Sequence, residues 1–398
     1  MLGGVALLNY MDRQMLSTMK DSMQVDITDL QSAANFGRLM AVFLWIYGLM
    51  SPISGIIADN LSRKKLIVGS LLVWSSVTYF MGLATTYDQV FWLRALMGLS
   101  EALYLPAGLS LIADYHTGGS RSLAVGIHMT GLYLGQAIGG FGATLAAAYS
   151  WNATFQWFGI IGIVYAVVLA VFLKDKKRVA PEETKESTPK KSRANVWLSL
   201  KSLFTNPAFW VILLYFAIPS LPGWATKNWL PTLFAENLGL PMSQAGPMAT
   251  ITIAFSSFVG VVFGGILSDR WVRKNIKGRI YTGAIGLSLT IPSLLLLGFG
   301  HSIFEVVSAG VLFGIGFGMF DANNMPILCQ FVSVRQRATA YGVMNMVGVF
   351  AGAMITSVLG SWSDEGNLGM GFALLAAVVA VAVVIQLYSL RPQTDDKE

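Results

Sequence analysis

The chain has 398 residues, of which 54% are hydrophobic and 12% are charged, and its mean hydropathy is +0.60. This composition excludes an ordinary soluble protein, because so few charged residues cannot cover a globular surface, and it predicts an integral membrane protein. The net charge of +6 would suit a nucleic-acid-binding protein, but the basic residues lie in loops between apolar stretches, which excludes that partner. The single cysteine, Cys329, excludes a disulfide framework.

Twelve apolar stretches follow one another along the chain, each close to the ~20 residues that a helix needs to cross a bilayer core of ~30 Å. We therefore predict an all-α membrane protein with twelve transmembrane helices, which we call spans 1 to 12. They cover about residues 2–20, 33–57, 66–85, 89–113, 121–147, 153–173, 208–235, 245–268, 280–299, 303–328, 338–361 and 369–389. No basic region or small-residue cleavage site precedes Asp12, so we expect no cleavable signal peptide.

The distribution of basic residues predicts the orientation. Loops that follow even-numbered spans contain 20 of the 27 Lys and Arg residues, whereas the opposite loops hold Lys20 and little else. The positive-inside rule then places both termini in the cytoplasm. Short loops fit a bacterial inner (plasma) membrane, and the basic loops are expected to attract anionic lipid.

The longest polar segment, residues 174–206, is rich in Lys, Glu, Ser and Pro and is predicted to be a cytoplasmic linker with a surface helix over residues 196–204. It separates an N-terminal bundle of six helices (1–173) from a C-terminal bundle of six helices (207–390). A short cytoplasmic tail (391–398) follows.

The two halves repeat three sequence features in the same order. They are a Gly-x-x-x-Asp-x-x-x-Arg loop (55–63 and 265–273), an acid-Ala-x-x-x-Pro phrase (101–106 and 321–326) and an Arg-x-x-Ala-x-Gly phrase (121–126 and 337–342). Two parallel six-helix repeats with a site near the membrane midplane are typical of one class of secondary transporter. The repeats therefore predict two pseudo-symmetric bundles.

The duplicated loop resembles the signature of the major facilitator superfamily, and the resemblance covers essentially the whole chain. It implies the major facilitator fold and transport by alternating access. An Asp at a helix end near an Arg-rich turn can form a charge cluster that locks neighbouring helices in one state. We therefore interpret Asp59, Arg63, Asp269 and Arg273 as gating residues; the alternative is a stop-transfer cluster that affects only topology.

Three further phrases resemble the anion:cation symporter family, which includes sugar-acid, sialic-acid and organic-anion transporters that are commonly driven by protons. They are Asn9-Tyr10-Met11-Asp12-Arg13 in span 1, Arg94-x-x-x-Gly98-x-x-Glu101-Ala102 in span 4 and Trp229-Leu-Pro231-Thr after span 7. The resemblance implies proton-coupled symport of a small organic anion such as a hexonate, hexuronate or sialic acid. The first two phrases also resemble spinster-like lysolipid transporters, so movement of an amphiphile or drug is the alternative, and a transporter-like sensor is a third hypothesis.

Charged residues within the spans are the main candidates for the site. Asp12 and Arg13 lie ~17 Å into span 1, near the midplane. Arg94 and Glu101 are seven residues apart and share one face of span 4. Because such charges are costly against lipid, we expect them to face a shared watery cavity.

An acid whose Arg partner can be captured by a substrate is a natural proton switch. We assign Glu101 as the main coupling acid and Asp12 as its partner, with Arg13 binding the substrate carboxylate and Arg94 organising Glu101. Asp321 is predicted to be a polar wall for substrate or a second proton site. The alternative is a buried ion-pair network that only pins spans 1 and 4 together.

Other polar side chains in the spans are weaker candidates for substrate binding. These are Tyr47, Tyr104, Gln136, Lys227, Asn324 and Asn345. Packing for the tyrosines, snorkelling for Lys227 and helix-to-helix hydrogen bonds for the asparagines are the competing interpretations. The sequence contains no Walker motif, metal-ligand spacing or recognisable nucleophile triad, so we expect a monomeric non-enzyme without cofactor or metal. The proton is the expected coupling ion, with Na⁺ as the alternative.

Overall fold

The computed structural model describes residues 1–116, 121–175, 201–333, 336–392 and 394; for residues 56, 59, 60, 113, 121, 122 and 338 it describes the backbone but not the side chain. The described residues form helices and no strands, which confirms the predicted all-α class. Residues 201–204, at the end of the predicted surface helix, are helical, and the remainder of that prediction (196–200) lies outside the described residues.

The described residues of the first half form nine α-helices and one short 3₁₀ helix. They are α1 (Leu2–Thr18), α2 (Lys20–Met23), the 3₁₀ helix (Thr28–Gln31), α3 (Ala33–Asn60), α4 (Arg63–Met81), α5 (Tyr87–Glu101), α6 (Tyr104–Tyr115), α7 (Arg121–Gly139), α8 (Gly142–Ala148) and α9 (Trp151–Phe172). Span 4 consists of α5 and α6, and span 5 consists of α7 and α8.

The second half contains seven α-helices, among which span 10 is again divided into two segments. They are α10 (Pro207–Leu238), α11 (Met242–Val272), α12 (Gly278–Phe299), α13 (Ile303–Asp321), α14 (Asn324–Phe331), α15 (Arg337–Asp364) and α16 (Leu368–Ser389). All twelve predicted spans are thus helical. Within the described residues, nine helices are long and apolar enough to cross a membrane. The other three spans are built on α1, α4 and α7, with 17, 19 and 19 residues.

The two divided spans end their first segment at the acidic residues. Proline has no backbone N–H, so Pro106 and Pro326 cannot donate to the carbonyl four residues earlier, and the helix is interrupted there. As a result α5 ends at Glu101 and α13 ends at Asp321. Each break is closed by a tighter bond, from the backbone N–H of Leu103 to Ser100 and from that of Asn323 to Phe320.

Two glycines place these segments against their neighbours. A Cβ atom on Gly98 would lie 2.6 Å from the carbonyl oxygen of Phe43 in α3, and one on Gly318 would collide with the carbonyl of Ser257 in α11. Both glycines lie three residues before the acid. They let the helix backbones touch, as small residues do between membrane helices, and so bring Glu101 close to the α3 side chains.

The two halves contact each other closely on the side that the charge bias places outside. The Asp364 carboxylate at the end of α15 caps the first turn of α3: it accepts hydrogen bonds from the Ser32 hydroxyl at 2.8 Å and from the N–H groups of Ala33 and Ala34 at 2.5 and 2.9 Å. Phe36 in α3 packs edge-on against Trp229 in α10. The outer side is therefore closed.

Two polar side chains within the spans are exposed. Asp321 is exposed although it lies ten residues before the end of α14. Tyr341, near the start of α15, is also exposed, at 42%. Because the two halves are in contact on the outer side, these exposures indicate a cavity between them that opens on the side that the positive-inside rule assigns to the cytoplasm.

We expect Asp364→Ala to loosen the outer contact. It removes one carboxylate that accepts three hydrogen bonds at an exposed position, where such contacts together contribute about 1–2 kcal/mol, a 5- to 30-fold change in population. Spin labels at Val25 and Asn367, in a Cys329→Ser background, should report by electron–electron double resonance a larger population with separated outer ends.

The control for this measurement is Asp88→Ala, which removes an exposed acid from the first turn of α5. This variant should give the distance distribution of the parent protein. An Asp364→Ala distribution identical to the parent would show that the carboxylate does not hold the halves together.

Candidate functional site

A direct ion pair joins span 1 to span 4. Arg13 Nε donates to Glu101 Oε2 at 2.6 Å, and the exposed fractions of the two side chains are 13% and 0%. Glu101 is therefore fully buried, whereas the Arg13 side chain keeps a small exposed fraction. Arg13 makes the direct contact with Glu101, and Arg94, which the sequence predicted to organise this acid, interacts with it electrostatically.

Three aromatic rings surround the Arg13 guanidinium group. Its Cζ atom lies 5.1, 4.8 and 4.7 Å from the ring centroids of Tyr10, Phe43 and Tyr47. Such cation–π contacts are worth ~0.5–2 kcal/mol each, depending on desolvation. Tyr10 and Phe43 were not among the predicted site residues. Helical spacing could have found Tyr10, because it lies one turn before Arg13 and shares its face.

Arg94 and Asp12 complete the cluster. The Arg94 guanidinium lies 4.4 Å from the Phe43 ring centroid, so both arginines contact this ring. Arg94 Nη1 contacts Met97 Sδ at 2.9 Å, and its Nε has no hydrogen-bond partner among the described residues. Asp12 accepts a hydrogen bond from the Thr78 hydroxyl at 3.2 Å and interacts electrostatically with Glu101 and Arg94.

This cluster of Asp12, Arg13, Arg94 and Glu101 contains two cations and two carboxylates. Of these four side chains only Arg13 is more than marginally exposed. The second carboxylate oxygen of Glu101, Oε1, is buried without a hydrogen-bond partner in the described part of the chain. An anion that reaches the site from the cavity therefore meets Arg13, and it competes with Glu101 for that cation.

The second half contributes a more open group of polar side chains. The Asp321 carboxylate is exposed and its Oδ1 accepts a hydrogen bond from Asn324 Nδ2 at 3.0 Å. Lys227 in α10 holds its ammonium 4.8 Å from the centroid of Trp224 and interacts electrostatically with Asp321 and Arg13. Tyr10 interacts electrostatically with both Glu101 and Asp321. The two acids therefore border one space between the halves.

Of the remaining predicted binding residues, two are buried within one half and one forms a hydrogen bond between the two halves. Tyr104 is buried and its hydroxyl donates to the Leu2 carbonyl at 3.0 Å, so it is not on the cavity wall. Gln136 is also largely buried. Asn345 Nδ2 donates to the Ser51 hydroxyl at 3.1 Å, a bond between the two halves. The described residues contain no group of three or more His, Cys, Asp or Glu side chains that could hold a metal ion.

Two of the four predicted gating residues, Arg63 and Asp269, contact a neighbouring helix within their own half. Arg63 forms an ion pair with Asp114, near the end of α6, and donates to the Ser110 carbonyl at 3.2 Å. Asp269 pairs with Arg279 at the start of α12 at 3.0 Å. Arg273 is exposed at the end of α11, and the Asp59 side chain lies outside the described residues. Asp114 and Arg279 were not singled out from the sequence, since neither occurs in the repeated phrases.

The sequence and the fold were also compared with known proteins. The family model described as Major Facilitator Superfamily matches residues 2–353. A hexuronate transporter of Bacillus subtilis (strain 168) is 26% identical, over 96% of this chain and 90% of the relative. A probable galactarate/D-glucarate transporter of the same organism is 28% identical, over 90% of each chain. Among solved structures, an inward-facing, occupied bacterial homologue of the human lysosomal transporter Spinster superimposes with a TM-score of 0.83 at 18% identity, over 100% of this chain and 97% of that one.

The ion pair makes a prediction about stability. Removing one partner of a buried pair leaves an uncompensated charge, a loss of about 3–5 kcal/mol, whereas replacing both partners by apolar groups is close to neutral. Glu101→Ala should therefore lower the apparent melting temperature of the purified protein in detergent more than the double variant Arg13→Met/Glu101→Met. Asp321→Ala, at an exposed carboxylate, is the control and should change it least. Equal losses for the single and double variants would contradict the pairing.

Proposed function

The chain belongs to the Major Facilitator Superfamily and is a membrane transporter rather than an enzyme, and we propose that it carries a sugar acid or a similar small organic anion together with a proton. The hexuronate and galactarate/glucarate transporters among its relatives support a carboxylated solute. We further propose that it lies in a bacterial inner membrane with both termini in the cytoplasm, which the loop charges favour.

One observation carries the proposal: the cation that an anion can reach from the cavity is also the partner of a fully buried acid. Arg13 is partly exposed, whereas Glu101 is buried and makes its ion pair through Oε2 alone. The aromatic rings around Arg13 fix the guanidinium group in place. A carboxylate ligand that binds the Arg13 guanidinium group shares its positive charge with Glu101 and so weakens the ion pair.

The proposed coupling follows from charge balance. An unpaired carboxylate in a low-dielectric site costs several kcal/mol, so a Glu101 that has lost Arg13 to the solute is stabilised by taking up a proton. Solute and proton then occupy the site together, and loss of either one restores the unfavourable charge. Asp12, close to Glu101 and Arg94, is placed to share or relay that proton.

Alternating access supplies the remaining step. The closed outer side and the cavity that reaches Asp321 correspond to a state open to the cytoplasm. Rocking of one six-helix repeat against the other would expose the same cluster to the outside. In that state the Asp364 cap on α3 must separate, while Arg13 and Glu101 remain on the same half.

The first test is the coupling acid. In proteoliposomes, Glu101→Gln should abolish proton-driven accumulation of labelled D-galacturonate but preserve exchange of labelled for unlabelled solute, because an amide cannot carry the proton. Arg13→Gln should reduce both activities by 10-fold or more, since a charge-assisted pair is worth about 1.5–3 kcal/mol. Unchanged accumulation in Glu101→Gln would refute its role in coupling.

A second test addresses the ion. An inward proton gradient should drive labelled D-galacturonate above its external concentration, and a protonophore should abolish accumulation without preventing equilibration. Substituting choline for Na⁺ should have no effect. Accumulation that follows the Na⁺ gradient instead would identify Na⁺ as the coupling ion and leave the assignment of the solute intact.

A further inference from the structure

The second half of the site holds one cation and one acid, and from this we infer that the transporter selects sugar acids with a single carboxylate and rejects aldaric acids, which have a carboxylate at both ends. The inference rests on the proposed function and specifies its substrate class. It concerns Lys227, Asp321 and Asn324, which we call the distal group because they belong to the half that does not contain the Arg13–Glu101 pair.

Formal charge differs between the two sides of the cavity once a proton is bound. With Glu101 protonated, Asp12, Arg13 and Arg94 leave one net positive charge, which matches one carboxylate of the solute. Lys227 and Asp321 together leave none. A second carboxylate at the distal group would therefore gain no net attraction to offset its loss of hydration.

The hydrogen-bonding atoms of the distal group also favour hydroxyl groups. Asp321 receives Asn324 Nδ2 on Oδ1 and is exposed to the cavity, so it can accept a further bond. The carboxylate oxygens of Asp321 are acceptors, so a sugar hydroxyl can donate to them whereas an ionised carboxylate cannot.

Lys227 is the cation that could bind a second carboxylate, and its position limits that role. Its ammonium lies over the Trp224 ring and within electrostatic reach of Asp321, so part of its charge is already compensated. A dianion placed near Lys227 would also approach Asp321. At a separation of ~5 Å and an effective dielectric constant of ~20, repulsion from Asp321 corresponds to roughly a 250-fold loss in binding, which cancels a similar attraction to Lys227 and leaves the loss of hydration without compensation.

The test compares two solutes with the same configuration at C2 to C5 but with one or two carboxylates. D-Galacturonate, a hexuronate that closes to a ring, and galactarate, its open-chain dicarboxylate counterpart, should each be tried as a competitor of labelled D-galacturonate uptake and as a ligand that stabilises the purified protein against heat in detergent. For the parent protein we expect galactarate to bind at least 10-fold more weakly than galacturonate. Equal or tighter binding of galactarate would overturn the inference while the proposed symport stands; failure of both sugar acids to bind would instead refute sugar acids as the solute.

Asp321→Asn should improve the binding of galactarate relative to galacturonate. It removes the negative charge from the distal group and leaves Lys227, so the ratio of the galactarate to the galacturonate dissociation constant should fall by about 10-fold or more. The thermal-shift readout does not require transport, so it remains informative if Asp321 also has a part in coupling. A ratio that does not fall would contradict the inference.

Two further variants complete the design. Lys227→Gln leaves Asp321 as the sole charge of the distal group, so the ratio of the galactarate to the galacturonate dissociation constant should rise. Asp88→Asn neutralises an exposed acid in the first turn of α5, far along the chain from the distal group, and should leave the ratio unchanged. A change of the ratio in Asp88→Asn comparable to that in Asp321→Asn would indicate a general effect of net charge and would overturn the assignment to Asp321.

Discussion

The requirement that charge inside a membrane be paired is the constraint on which this structure depends. Arg13 and Glu101 satisfy it with a single short contact between spans 1 and 4, and the rings of Tyr10, Phe43 and Tyr47 lie close to the cation. Such a pair is costly to break and is not needed merely to hold two helices together, since apolar side chains do so at least as well. The Arg13 side chain is partly exposed, and this exposure favours a binding site over a purely structural contact between the two helices.

Spans 4 and 10 have the same backbone conformation at their acidic residues, but the side chains around the two acids differ. Proline five residues after the acid and glycine three residues before it produce the same helix break and the same close approach in spans 4 and 10. The residues seven positions before the two acids differ: Arg94 precedes Glu101, whereas Gly314 precedes Asp321. Glu101 lies buried between two cations, whereas Asp321 is exposed and bonds to Asn324. Sequence symmetry therefore positions two acids, and the different residues around them give the two acids different environments.

The closed outer side ties this site to the conformation of the whole molecule. The Asp364 carboxylate at the end of α15 caps α3, the helix that also carries Phe43 and Tyr47 against Arg13. Movement of α3 relative to α15 would therefore affect both the outer contact and, through α3, the position of the rings around the cation. This provides a physical connection between occupancy of the site and opening of the outer side.

The sequence by itself determined the membrane environment, the positions of the twelve helical spans, the repeat and the acids at its centre, because hydrophobic length, proline and charge act locally and leave a direct pattern in the chain. It also determined the family, through phrases whose residues are close together. Only the tertiary structure decided that Arg13 rather than Arg94 pairs with Glu101, that Tyr104 turns to the Leu2 carbonyl, and that Asp321 is exposed. Helical periodicity gives the face on which a side chain lies but not which neighbouring helix meets that face, so pairing and exposure follow from packing between distant segments.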